Sequence, residues 1–186
     1  VIKKLLLALL LFIIACLLAG LYGVVHNQVS FTVAPEYFTK FKFYQFGVHD
    51  LQASTSRPIS SRGLASGIGW AASWWMGLVI GVVLIPLGLV IPGPARYFWS
   101  MVRVFGLVIL TTLVVGLLAL LVAFVIVDPE TVTEIERYGN QITDDAAFVR
   151  AGTMHNFSYL GGVIGIITGI IAIFRYRNKA RAAVHD

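Results

Sequence analysis

Charge is scarce in this chain, and four long stretches have none. Charged residues make up 12% of the 186, about half the share usual in a soluble domain. No Asp, Glu, Lys, Arg or His occurs in 5–25, 67–91, 104–127 or 157–174. Hydrophobic residues are 58% of the chain, more than a soluble fold of this length can bury. A helix needs roughly 20 residues to cross about 30 Å of hydrocarbon, and each stretch meets or approaches that length. Backbone amides in lipid must be satisfied within their own segment, so the stretches are expected as helices. The sequence predicts an all-α membrane protein, a single four-helix transmembrane domain, with the lipid bilayer as its first partner.

Cysteine is nearly absent. Cys16 stands alone, which excludes an internal disulfide, a CxxC redox pair and a cysteine zinc site. With Lys3 and Lys4 ahead of it, Ile13-Ile14-Ala15-Cys16 loosely matches a lipoprotein cleavage box. The apolar run nevertheless continues to Val25, longer than a signal core of about 7–15 residues. The first stretch is therefore expected to remain as an anchor.

Catalytic signatures are missing as well. His49-Asp50 precedes serines at 54, 56, 60 and 61, but no nucleophile elbow of the G-x-S-x-G kind surrounds them. Stretch 51–62 reads as a flexible polar loop. Glycines cluster inside the apolar runs, not in a phosphate-binding loop. Buried ionisable groups mark most ion and proton pathways. Their absence from the spans argues against a proton relay or a carrier of charged substrates. A channel for small uncharged solutes would require a continuous polar path between the helices. No catalytic residue and no metal site is assigned, and a non-enzymatic role is expected.

What charge there is lies unevenly. Lys3, Lys4, Arg96, Arg103, Arg175, Arg177, Lys179 and Arg181 flank one side of the spans, beside a single acid, Asp186. The other side holds Lys40, Lys42, Arg57, Arg62, Arg137 and Arg150 against eight acids. By the positive-inside rule the first side is cytoplasmic, with both termini there. The net charge of +5 thus points to topology and anionic lipid, not to nucleic acid.

The connection through Pro92-Gly93-Pro94 is short, so spans two and three are expected as a tight antiparallel hairpin, and Pro86 is a candidate kink in span two. The outer loops, 26–66 and 128–156, are long and predict a small cap. Val29-Ser30-Phe31-Thr32-Val33 alternates as a short strand would. Pro35 with Glu36 favours a short helix start. Against it, Phe41, Phe43 and Gln45 alternate with Lys40, Lys42 and Tyr44, and aromatic β-propensity tips 41–46 towards strand. In loop two, Pro129-Glu130 suggests a helix start, and Thr143-Asp144-Asp145 is an N-cap signature that begins the fourth helix near Asp144. Loop one is basic and loop two acidic, so the two are expected to fold on each other.

Tyr37, Phe38, Phe41, Phe43, Tyr44 and Phe46, with Lys40 and Lys42 among them, cannot all face water. They predict either an interfacial lid or a surface that docks a partner. Gly69, Ser73, Gly77 and Gly81 in span two, and Gly161, Gly165 and Gly169 in span four, each repeat every four residues and so share a face. Such grooves favour close helix approach in lipid. Span two against span four is the expected contact, with self-association or another membrane protein as the alternative. Trp70, Trp74 and Trp75 are expected as outer interface anchors. His26 and His155 end and begin their spans on the outer side, where two histidines at one depth suit a haem, a metal or a quinone.

PEYFTKFKF at 35–43, WWMG at 74–77 and MHNFSYLGG at 154–162 together resemble an uncharacterised family of bacterial inner-membrane proteins with four transmembrane helices. The resemblance implies that location and transfers no catalytic residue. Two functions are thus expected. The first is an accessory or assembly subunit of a larger membrane complex, docking through its periplasmic cap and glycine faces. The second is a haem-, metal- or quinone-binding membrane protein using His26 and His155.

Overall fold

The computed structural model describes residues 2–51 and 59–182. Ser54, Ser56, Arg57 and Asp186 lie outside them. Helix α1 spans Ile2–Val33. A short helix follows, with a π-helical stretch at Tyr37–Lys42 running into α2, Phe43–Gln45. Span two is divided into α3, Ser61–Ser73, and α4, Met76–Gly88. Helix α5 covers Pro94–Ile126 and α6 covers Asp145–Ala182. A two-stranded hairpin, β1 Glu136–Arg137 and β2 Asn140–Gln141, lies between them. Four helical segments are long and apolar enough to cross a membrane, Ile2–Val33, Ser61–Gly88, Pro94–Ile126 and Asp145–Ala182. The all-α four-helix membrane bundle is the observed fold.

The strand expected at 29–33 is helix instead. Five residues are too few to separate a period of two from one of 3.6. Over a longer window the buried positions are Gly23, His26, Asn27, Ser30, Phe31 and Ala34, which is the spacing of one helix face. The strand expected at 41–46 is also helix. Phe38 and Phe43 are both fully buried, and their five-residue spacing matches a π turn, in which the Phe43 amide donates to the Phe38 carbonyl. Pro35-Glu36 does start a helix. Pro129-Glu130 does not: the Asp128 side chain takes the Glu130 amide at 3.0 Å and closes a turn. The hairpin in loop two turns on Tyr138 and Gly139, whose φ angles of 54° and 73° give the tight reversal that matches strand twist.

The α-helical pattern of span two is interrupted at Trp74–Trp75 and continues through Pro86. The Gly77 and Leu78 amides reach back only three residues, to Trp74 and Trp75, a tighter turn between two α-helical rods. Pro86 lies near the C-terminal end of α4, where few helical bonds remain to be lost.

The glycine faces work within the chain, but with partners other than those expected. Gly69 lies against Gly23, and a side chain at either would run into the other's carbonyl. Gly77 packs on the backbone of Ala15 and Cys16, and Gly81 on the Phe12 ring. Span two therefore pairs with span one. Gly161 and Gly165 meet Thr112 and Val108 on α5, so span four pairs with span three; only Gly169 also reaches Leu84 of span two. The hairpin of spans two and three is close only at its turn, where Gly88 meets Met101 and the Tyr97 hydroxyl donates to the Ile85 carbonyl. Each helix pairs with its sequence neighbour across a long outer loop.

Two apolar cores result. The outer one joins both loops, with Phe31, Phe38, Phe43, Leu64, Ile142 and Phe148 among its members. The inner one includes Leu11, Leu84, Ile91, Tyr97, Met101 and Ile173. At the inner end Lys4 donates to the Leu89 and Ile91 carbonyls, at 2.9 and 2.6 Å. Arg96 donates to the Ala180 carbonyl. Both cations cap helix C-termini, where the dipole favours them.

Candidate functional site

His26 and His155 do come together. The helical face of α1 that buries Gly23 and Ser30 also turns His26 inward, towards α6. The ring centroids stand 4.4 Å apart, edge to face. His26 Nε2 lies 3.0 Å from Ser158 Oγ, and His155 Nε2 lies 3.2 Å from Ser30 Oγ. Each serine also donates to a carbonyl one turn back in its own helix, Ser158 to Met154 and Ser30 to His26. A hydroxyl has one proton. With its proton committed, Ser30 accepts from His155 Nε2–H, whereas His26 lies between Ser158 Oγ at its Nε2 and the Asn27 Oδ1 acceptor 3.4 Å from its Nδ1. Asn27 donates to the Ala65 carbonyl at 2.9 Å, tying α1 to α3 beside the pair.

The cap closes over this pair. Tyr37 stacks on His155 at 4.9 Å, and Tyr37 and Phe38 are both buried. Burial pushes the Tyr37 hydroxyl well above its usual pKa, with Tyr159 adding to the effect and Arg137 partly offsetting it. The two loops are joined by Glu36. Its carboxylate accepts from the Thr143 amide and hydroxyl, both at 2.7 Å, and from the Asp144 amide at 3.3 Å. It also pairs with Lys40, which donates to the Gln141 carbonyl. Burial alone would raise the Glu36 pKa, but the Lys40 ammonium and the Thr143 and Asp144 donors outweigh it and hold the pKa at about 2. No ion pair links the loops among the described residues. A carboxylate at a helix N-terminus does so instead.

Between the two cores lies a cavity of about 390 Å³, at the small end of the range for ligand pockets, about 300–1,000 Å³. All four spans and the cap line it. Its outer end is polar, with Tyr22, His26, His155, Ser158 and Tyr159, and with Lys42 from the cap. Its inner end is apolar, with Ala15, Leu18, Ile80, Phe105 and Val108. From His26 to Ala15 the cavity follows eleven residues of helix, about 16 Å at 1.5 Å each. The Tyr22 hydroxyl is buried without a hydrogen-bond partner among the described residues. Lys42 donates to Gln45 and lies over the Phe41 ring at 4.8 Å. Burial lowers its pKa.

The remaining expected residues fall as follows. Phe43 is buried in the outer core, and Phe41 packs against it. Tyr44 stacks on His49 at 4.3 Å, and Phe46 is exposed and lines the cavity mouth. Most of the aromatic set thus forms the inside of the cap, not an outward docking face. The tryptophans pack against α1 and the cavity wall. Trp70 packs on Gly20, Trp74 shares a second, apolar groove with Cys16 and Leu17, and Trp75 lines the cavity wall. Cys16 is about 16 Å along α1 from Leu5, near the middle of the apolar run. Tyr22, Asn27, Ser30, Ser158 and Tyr159 were not singled out by sequence. The signal was their helical spacing to the histidines: Tyr22, His26 and Ser30 at four-residue steps, and His155 with Ser158 and Tyr159.

Two ligand classes do not suit this geometry. Rings in edge contact leave no space for a porphyrin between them, since axial ligation sets each nitrogen about 2 Å from the metal, on opposite faces. Among the described residues no set of three or more His, Cys, Asp or Glu side chains converges on a metal position. Nor does a polar path run through the bundle. Below Ala15 and Phe105 the inner core closes with Leu11, Leu84, Met101 and Val104, all fully buried.

Comparison with protein-family models, with curated proteins and with solved structures found no match for this chain.

Proposed function

We propose that this protein is a membrane-embedded binding protein for a small amphiphile. The ligand's head sits at the His26–His155 pair and its apolar body lies along Leu18, Ile80 and Phe105. One observation carries the reading: the cavity is polar at one end and apolar at the other, and it separates two packed cores. A small polar cluster on an otherwise apolar wall is how ligand sites fix orientation. A quinone belongs to this class, as does a single-chain lipid.

We further assign the chain to the bacterial inner membrane, with both termini cytoplasmic and the cavity on the periplasmic half. The eight basic residues that flank the inner core support this sidedness, and the family resemblance supports the bacterial setting. An accessory-subunit role drew on the glycine faces and the cap aromatics. Both are largely used inside the chain, and this favours ligand binding over docking.

Native mass spectrometry of protein purified in mild detergent tests the proposal. The expected result is binding of an added single-chain amphiphile at one equivalent, lost in an Ala72→Phe variant that fills the cavity and keeps its thermal transition. Stable companion polypeptides with no small-molecule binding would overturn it in favour of the subunit role.

A further inference from the structure

Resting on that reading, we propose that the ligand is anionic: a single-chain amphiphile with a carboxylate head, held by Lys42 beside the tyrosines of the cavity's polar end. The argument is about which charges face the cavity. Among the described residues, Lys42 is the only cation of Lys or Arg type on its wall, and no Asp or Glu lines it. Among the described residues, no carboxylate comes within ion-pair distance of Lys42; the pairs present are Lys40 with Glu36 and His49 with Asp50. Lys42 is half-buried, and an opposite charge beside it would gain a Coulomb attraction stronger than in open water. Gln45 gives it one neutral acceptor, and the faces of Phe41 and Tyr37 give it partial compensation. Neither supplies a negative charge.

The neighbours favour the same head. The Tyr22 hydroxyl is buried beside Ser158 and makes no hydrogen bond of good geometry among the described residues. Tyr159 also lines the cavity. A carboxylate offers two oxygens and only accepts, and charge-assisted bonds to it are about twice as strong as neutral ones. An alkylammonium would meet Lys42 as a like charge. An alcohol would accept from one donor and leave the charge unmatched. The cavity, about 16 Å along α1 from His26, leads from this head towards Ala15 and Phe105 and suits one unbranched chain.

Binding of dodecanoate, dodecanol and dodecylammonium to the full chain in nanodiscs, read by native mass spectrometry, tests the inference. Dodecanoate is expected to bind at least about tenfold more tightly than dodecanol, and dodecylammonium not at all; tenfold corresponds to about 1.4 kcal/mol. Lys42→Met should erase the acid-over-alcohol preference. Lys42→Arg should retain the preference, and Lys40→Met, outside the cavity, should leave it intact. Equal binding of acid and alcohol, or a preference that survives in Lys42→Met, would overturn the inference while sparing the broader one. Failure of all three probes to bind would overturn both. Dodecyl phosphate serves as a further arm: tighter binding than dodecanoate would replace the carboxylate with a phosphate head.

Discussion

Glu36 is a single side chain that ties two loops more than a hundred residues apart. Its carboxyl is held at about 2, against 4.5 when unperturbed. A lowered folded-state pKa means that the stabilisation is complete above about 4.5 and is lost as the pH falls towards 2. Cap amides from Ile142 to Phe148 should therefore lose hydrogen-exchange protection across that window. Glu36→Gln should show the same loss at neutral pH, at a cost on the order of 1–2 kcal/mol once solvent screening is allowed for. Wild-type protection unchanged down to pH 2 would refute this account. Little of it was legible in the sequence. Thr143-Asp144 reads as a cap, and Asp144 does accept from the Ala147 amide at 2.9 Å. Sequence could not show that a distant glutamate joins the same helix end, because nothing local records a contact over that separation. His26 and His155 were legible as candidates by their depth, but their serine partners were not.

Among the elements, the helix pairings rest on close backbone approach. Gly69→Ala would drive a methyl into the Gly23 carbonyl and force α1 and α3 apart. The expected cost is about 1–3 kcal/mol. Gly162→Ala, with nothing within 4 Å of the new methyl, should be neutral or gain up to about 1 kcal/mol from helix propensity. Reversible unfolding in mixed micelles compares the two; equal stability would remove the close-packing argument. The four-residue glycine repeats were readable, and they do mark packed faces. Their partners were not readable, since a smooth groove accepts any smooth neighbour. The break at Trp74–Trp75 was hidden for a related reason. Proline was the visible signal, and it sits where the helix is already ending. Cap helicity was hidden by short windows, in which aromatic alternation outweighed the longer helical period.

At the level of the whole molecule, sequence-adjacent spans form two helix pairs, α1 with α3–α4 and α5 with α6. With Cys16 first exchanged for Ser, cysteines at Val115 and Gly161 should form a disulfide readily, because the added Cβ at Gly161 would touch the Val115 Cβ. Cysteines at Gly77 and Gly165, facing different partners, should not. The reverse result on non-reducing gels would restore the pairing of span two with span four. Four helices were legible from length and missing charge alone. The split into two cores was not, because it depends on where large side chains stop meeting.

That split has an electrical consequence. The inner core is an apolar plug of Leu11, Leu84, Met101 and Val104, whereas the cavity's polar groups gather beyond it. Most of the voltage across a resting membrane would therefore drop over the plug. A charged headgroup beside Lys42 would sit on the far side of that drop and feel little of it, so its occupancy should be insensitive to whether the cell is energised.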